Sequence, residues 1–358
     1  MQNSDGMNYA PVGKAQAVVD ENEFVFAVAA LDHGHIYGMS NGLIEAGATL
    51  KYVYDPDAEK VNKFVEKYPQ AQVAESLEQI LADEEIKLVA AAAIPSERCP
   101  LGLKVMAAGK DYFTDKAPLT SLEQLEDAKA MVAKTGKKYA VYYSERLHVE
   151  SAVFAGKLVK DGVIGKVIQT IGMGPHREGH LSRPEWFYDR RYFGGILCDI
   201  GSHQIEQFLY YTSNSDARII ASQAKNVSHP QHPTFEDFGD VMLVGDNGAS
   251  GYFRCDWFTP DGLSSWGDGR LTILGTDGYI EIRKYVDITQ GEKDVVYLVN
   301  NEGEFRYPVS GKVGYPYFGE LILDCINRTE NAMTQEHAFK AAELCIKAQM
   351  LANSNRAT

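Results

Sequence analysis

An excess of positive charge is what this chain most plainly lacks: 35 Lys and Arg stand against 49 Asp and Glu, a formal net charge of −14. Nucleic acids and anionic membrane surfaces are recognised through basic patches, so neither is an expected partner. Apolar runs of the roughly 18 residues needed to cross a bilayer are absent, so no membrane span is expected. Cys-x-x-Cys pairs are missing too. The five cysteines (Cys99, Cys198, Cys255, Cys325, Cys345) are scattered, which suits reduced thiols rather than a disulfide frame or zinc site. The opening residues MQNSDGMNYAPVGKAQ have neither the basic stretch nor the apolar core of a secretion signal. A cytoplasmic location is the expectation.

What is present is ordinary in bulk. Hydrophobic residues make up 45% and charged residues 23% of 358, values usual for a globular protein. That length exceeds what one core usually serves, so two domains are expected. The reading is an extension over 1–22, a first domain over 23–148 and a second over 149–358.

The first domain alternates strand and helix. Phe24 to Ala30 is a continuous apolar run, and Leu50 to Tyr54, Leu88 to Ala93, Asp111 to Thr114 and Tyr139 to Tyr143 read as further strands. Helices are expected at Ile36 to Ala46, after Pro56 through Lys67, from Leu77 with Ser76 as N-cap, from Pro100 to Ala108, and from Leu122 to Lys134. Strands buried on both faces and joined by helices make a doubly wound parallel sheet, whose ligands bind at the carboxyl ends of the strands.

At the first strand-to-helix turn, the G-x-G-x-x-G positions of a dinucleotide site carry Ala30, Asp32 and His35, with glycines displaced to Gly34 and Gly38. Asp32 beside a pyrophosphate is unfavourable unless it points away or caps the helix. Asp55 ends the second strand, where a carboxylate accepts hydrogen bonds from the adenosine ribose and repels a 2′-phosphate. NAD is therefore expected over NADP. His33 and His35 lie two apart, but no third zinc ligand is evident near them, so no metal is expected. His35 is read as packing at the helix start beside the cofactor.

Further along, Gly194 to His203 reads GGILCDIGSH. A helix beginning near Ile200 would put Asp199 at its mouth and His203 one turn in, so both address one pocket. A histidine beside a carboxylate is the equipment of a general base.

The altered βαβ turn, Asp55, Asp115-Lys116 after the fifth strand and GG-x-x-x-D-x-x-x-H occur in that order. In this order they resemble the glucose–fructose oxidoreductase / inositol dehydrogenase / rhizopine-catabolism (Gfo/Idh/MocA) family of NAD(P)-dependent oxidoreductases, from about Phe24 to the C-terminus. Ala108-Gly109-Lys110, Gly162 to Val167 and TQEHAFKAAELCIKAQ support the resemblance. Two departures stand out. Asp115-Lys116-Ala117 replaces the family's Glu-Lys-Pro, and Arg98-Cys99 follows the fourth-strand loop in place of a histidine. The resemblance implies NAD held by Ala30, Asp32, His33, Gly34, His35, Asp55, Pro95 and Lys116. It implies Lys116 on the reacting hydroxyl, His203 as its base, and Asp199 orienting His203 or gripping a neighbouring hydroxyl.

The second half reads as strands separated by turns such as Asp246-Asn247-Gly248 and Thr276-Asp277-Gly278. The expected fold is therefore α/β: an N-terminal Rossmann-type sheet plus a C-terminal α+β domain with an open, largely antiparallel sheet. The resemblance implies a homodimer or homotetramer through that sheet. Tyr143, Arg146, His148, His176, Arg177 and Trp186 are the candidate contacts for a small polyhydroxylated substrate, with Arg146 or Arg177 able instead to recognise a carboxylate or phosphate. The loop from Asp256 to Arg270 holds two of only three tryptophans and either closes over substrate or clasps a second subunit. The leading expectation is a dehydrogenase acting on a secondary hydroxyl of a sugar, cyclitol or related polyol. Redox-neutral glycoside cleavage or epimerisation with bound NAD, and a non-catalytic dinucleotide sensor, are the alternatives.

Overall fold

The computed structural model of the chain describes Pro11, residues 13–179 and residues 183–356. Its first sheet grows from β1 (Val25–Ala29), α1 (His35–Glu45), β2 (Thr49–Tyr54), α2 (Ala58–Lys67), β3 (Gln72–Val73), α3 (Leu77–Ala82), β4 (Ile86–Ala91), α4 (Pro95–Ala107), β5 (Asp111–Asp115), α5 (Leu122–Thr135) and β6 (Tyr139–Tyr142). All six strands are parallel, in the order β3-β2-β1-β4-β5-β6. β1 and β5 are buried at every position, as central strands sandwiched by helices are, although β5 carries Asp111, Thr114 and Asp115. Side-chain oxygens of Asp57, Ser76 and Ser121 accept from backbone N–H groups of α2, α3 and α5, and Gly136 closes α5 in the left-handed conformation.

One helix starts earlier than its sequence suggests. α4 begins at Pro95, not Pro100, and holds Pro100 inside it. A proline there leaves the carbonyl of Ser96 without its helical donor. Gln124 of α5 supplies one, its Nε2 lying 3.0 Å from Ser96 O.

The second sheet follows α6 (Ser144–Leu147) and α7 (Glu150–Lys160). Its elements are β7 (Val167–Pro175), a 3-10 turn (Glu185–Tyr188), α8 (Arg190–Phe193), α9 (Ile196–Asp199), α10 (Gly201–Thr212), β8 (Ala217–Lys225), β9 (Phe238–Gly245), β10 (Ser250–Asp256), β11 (Arg270–Gly275), β12 (Gly278–Arg283), β13 (Val295–Asn300) and β14 (Gly303–Pro308). The order is β14-β13-β12-β11-β7-β10-β9-β8, antiparallel except where β7 meets β10. The fold is thus α/β, a Rossmann-like sheet followed by a mostly antiparallel one. β14 carries no apolar run, so its sequence gives no strand signal.

Helices α7 and α10 cover one face of this sheet, with α12 (Gln335–Arg356) over β8. α11 (Pro316–Asn327) returns to the first sheet, where Phe318 fills the space left by Gly42 of α1. One apolar core consequently runs from β1 to α12. The opposite face of the second sheet stays open and partly apolar: Ile171, Met242, Tyr252, Leu274 and Tyr279 are each more than a third exposed. Among the described residues, no helix is long and apolar enough to cross a membrane.

Candidate active site

The carboxyl ends of β1, β5 and β6 converge on a cavity that the second sheet roofs. Its walls include His33, Gly34, His35, Lys116, Glu145, His176, Arg183, His203, Trp257 and Trp266. Lys116 and His203 therefore share one enclosure although they lie in different halves of the chain.

Lys116 leaves the tip of β5 on a turn fixed from below. Arg98, buried on α4, donates to the carbonyls of Ala93 (2.7 Å), Ala117 (3.1 Å) and Lys116. It also donates to Asp115 Oδ2 at 3.1 Å. The Lys116–Ala117 peptide is cis. Lys116 Nζ lies 2.5 Å from Asp199 Oδ1. Burial opposes ionisation of Asp199, but Lys116 outweighs it and holds the carboxyl below its usual range.

This corrects the expected role of Asp199, whose partner is Lys116 and not the imidazole of His203. It lies at the end of α9, separated by Ile200 from α10, which carries His203. His203 is buried, and its Nδ1 has no hydrogen-bond partner among the described residues. Burial pushes its pKa down to about 3. The expected rise in basicity is thus reversed, because no carboxylate hydrogen-bonds the ring and desolvation disfavours the imidazolium.

The β1–α1 turn keeps part of the expected site and changes the rest. Ala30, at the first glycine position, has φ of 58°, a left-handed conformation costing a β-carbon residue about 1 kcal/mol. Asp32 turns away from the helix start and pairs with Lys60 Nζ at 2.6 Å. Gly38 serves packing, since a Cβ there would lie 2.9 Å from the Tyr142 hydroxyl. His33 closes the N-terminus of α1 from within: His35 N donates to its Nδ1 at 3.2 Å and Ile36 N to its carbonyl at 3.2 Å. Pro95 is buried at the start of α4.

Asp55 accepts from Leu31 N at 2.6 Å and Asp57 N at 2.9 Å. Each oxygen thereby keeps a further lone pair for a ribose hydroxyl. Strand order reverses direction between β1 and β4, the crevice where such sheets bind dinucleotides. The acid at the tip of β2 and the sheet's switch point fit an adenosine ribose. The engaged amides of α1 offer a pyrophosphate less than a glycine-rich turn would.

His33 and His35 do have a third group beside them. Asp115, wholly buried, places Oδ2 3.1 Å from His33 Nδ1 and Oδ1 2.8 Å from His35 Nδ1. A separation of 80 residues hid this from the sequence. The three form a group of metal-ligand type. However, Arg98 and the Lys116 backbone N–H (2.8 Å) already occupy the same carboxylate. With the Lys116 ammonium close by, a dication there meets two positive charges.

The expected substrate contacts divide. His176 lines the cavity; the other five do not, for local reasons. Tyr143 points its hydroxyl at Ala338 O, 3.2 Å away. Arg146 is committed to Glu206 at 2.5 Å and stacks over Tyr210. His148 bonds the Tyr142 hydroxyl and packs on Tyr315 and Phe318. Arg177 donates to Pro260 O and Leu263 O. Trp186 is half-buried on the 3-10 turn, whose Phe187 takes the inward position. In their place stand Arg183, Trp257, Trp266, Tyr285 and Glu145. The tryptophan-bearing loop thus faces the site, and its two tryptophans were the available signal.

A two-sheet α/β molecule with a dinucleotide crevice opening onto a Lys–Asp–His cavity is the class that fold and site define. Comparison with known proteins agrees. Residues 32–143 match the model described as an oxidoreductase family with an NAD-binding Rossmann fold, and residues 153–281 match that of the GFO/IDH/MocA C-terminal domain. A crystal structure from Erwinia carotovora atroseptica SCRI1043, of a protein named for an expected oxidoreductase activity, is 59% identical, with a TM-score of 0.90 over 92% of this chain and 99% of that one. The chain belongs to the Gfo/Idh/MocA family. A D-xylose dehydrogenase of Paenarthrobacter nicotinovorans is 24% identical over 57% of this chain and 52% of its own length. A scyllo-inositol 2-dehydrogenase (NAD(+)) of Bacillus subtilis (strain 168) is 25% identical over 66% of each. The chain thus spans about half of the first of these curated relatives and 66% of the second.

Proposed function

We propose that the protein is an NAD-dependent dehydrogenase that oxidises a secondary hydroxyl of a sugar, cyclitol or related polyol. The observation carrying this reading is the meeting of the Lys116–Asp199 pair and His203 in one cavity at the carboxyl end of a dinucleotide-type sheet. When bound, the dinucleotide supplies the hydride acceptor. The substrate carbon gives up its hydrogen with the bonding electron pair, and its oxygen becomes a carbonyl as the hydroxyl proton departs. Lys116 donates a hydrogen bond to that oxygen and stabilises its growing negative charge. An imidazole nitrogen of His203 takes the proton. Asp199 keeps the lysine aimed.

NAD is the inferred cofactor over NADP. Asp55 and Asp32 put two carboxylates at the ribose end of the crevice, and Lys60, the cation that reaches both, is already paired with Asp32. Calorimetric titration with NAD and NADP, followed by a screen of D-xylose and scyllo-inositol for NADH formation, tests the reading. Tighter binding of NAD and NADH release from a polyol support it. Binding of neither dinucleotide contradicts it.

We further infer self-association, as a homodimer or homotetramer, through the open face of the second sheet. The exposed row Met242, Tyr252 and Ile171 runs across three adjacent strands there.

A further inference from the structure

Glu145 has no part in the reaction just described, yet the fold invests several elements in holding it. It sits on α6, is 1% exposed, and lies on the cavity wall. Its two oxygens are treated unequally. Oε2 accepts from Lys284 Nζ at 2.6 Å and from Gln204 Nε2 at 3.0 Å. Oε1 has no hydrogen-bond partner among the described residues and faces His176 Nε2 at 4.0 Å.

The supports of Oε2 come from distant parts of the chain. Lys284 follows β12 and has no exposed surface. Gln204 is the neighbour of His203 on α10, and it fits because β7 carries glycine opposite it. A Cβ at Gly172 would collide with Gln204 Oε1, and one at Gly174 would lie 3.1 Å from its Nε2. Gln204 Oε1 is itself buried and without a hydrogen-bond partner among the described residues. A buried acceptor left unpaired costs stability, more so when it is charged. Glu145 Oε1, on the cavity wall, is such an acceptor, and it points to a donor arriving from outside the chain.

Charge pairing narrows those donors. Around the cavity, Glu145 is matched by Lys284, Asp199 by Lys116 and Asp115 by Arg98. Burial holds His33, His176 and His203 neutral, down to about 3, 4 and 3. For Glu145, burial opposes ionisation, but Lys284 together with His203 and His176 outweighs it and brings the carboxyl down to about 2. Arg146 and Arg177 are bound elsewhere, and Arg183, on the cavity wall, donates to the Glu178 carbonyl and stacks over Phe187 and Trp257. An unpaired carboxylate oxygen repels a substrate carboxylate or phosphate and accepts from a hydroxyl.

We propose that Glu145 is a specificity-determining residue: Oε1, fixed by the Lys284–Glu145–Gln204 relay, accepts a hydrogen bond from one hydroxyl of a neutral polyol and excludes sugar acids and sugar phosphates. This rests on the dehydrogenase reading only for the reaction that follows binding.

The test reads binding directly. Trp257 and Trp266 line the cavity, so their fluorescence reports occupancy with or without turnover. D-xylose and scyllo-inositol serve as neutral probes, and D-xylonate and D-xylose 5-phosphate as charged ones. In the native protein the neutral probes bind at least about tenfold more tightly than the charged ones. In E145Q/K284M, which removes both buried charges together, neutral-probe affinity falls about tenfold or more and the discrimination shrinks to within about threefold. E145Q, of nearly equal volume, gives the same readout if the double variant does not fold. Unchanged neutral-probe affinity in a folded variant overturns the proposal. So does native protein that binds D-xylonate as tightly as D-xylose, or that binds no neutral probe. Selective binding without NADH formation would leave Glu145 in its role and remove the dehydrogenase reading. NADH formation with unchanged KM in E145Q would do the reverse.

Discussion

Asp55 shows how one side chain can serve fold and ligand together. Its carboxylate receives Leu31 N and Asp57 N, so it orders the β1–α1 turn besides offering lone pairs to a ribose. Asp55→Ala is expected to weaken NAD binding and also to cost about 1–3 kcal/mol of stability, because two amides lose their acceptor. Calorimetry with NAD beside urea unfolding checks both, and an unchanged NAD affinity would move the ribose contact elsewhere. Lys116, Asp199 and His203 were legible because their spacing survives in the sequence. Arg98 was noticed only as a departure from the family pattern. Its hold on Asp115 and on three backbone carbonyls is a tertiary fact. Glu145 and Lys284 lie 139 residues apart, and no local pattern announces that pair.

At the level of elements, apolar runs identified β1 and β4 because both their faces are buried, leaving little choice of register or partner. Strand β14 and the early start of α4 were hidden. The first alternates weakly at a sheet edge; the second depends on Gln124 replacing a donor that Pro100 lacks. The outer face of the second sheet carries a prediction of its own. Met242, Tyr252 and Ile171 are level with one another across β9, β10 and β7, and apolar rows of this kind mark association surfaces. Sedimentation velocity should show a dimer or tetramer for the native chain and a shift toward monomer for Tyr252→Glu. A monomeric native chain, or a variant that sediments identically, would contradict that use of the face.

Across the whole molecule, buried neutral histidines govern the response to acid. His33, His148 and His203 are pushed down to about 3 and His176 to about 4, chiefly by burial. Below their unfolded pKa near 6.5, the unfolded chain binds protons that the folded chain refuses, so stability falls as pH falls from about 6.5 toward about 4. Asp294, raised by burial to about 6, and His229, raised by Asp237 and Glu178 against the effect of burial, act in the opposite sense. Asp111, Asp256 and Glu320, whose carboxyls burial also raises, act with them. The four histidines nevertheless stay neutral when folded down to pH 5. A net loss of stability is therefore expected between pH 7 and pH 5, each histidine contributing on the order of 1.4 kcal/mol per pH unit below its unfolded pKa. Urea unfolding across that range checks it; a flat or rising stability on acidification would contradict it.

The joining of the two halves at Lys116 and His203 is the centre of the account. Its most direct test is the single-turnover rate of NADH formation, with saturating NAD and a polyol taken from the native enzyme's screen, in native protein and in His203→Ala. A loss of about 100-fold or more in that rate is expected, with NAD affinity nearly unchanged. A variant that still transfers hydride at close to the native rate would contradict it.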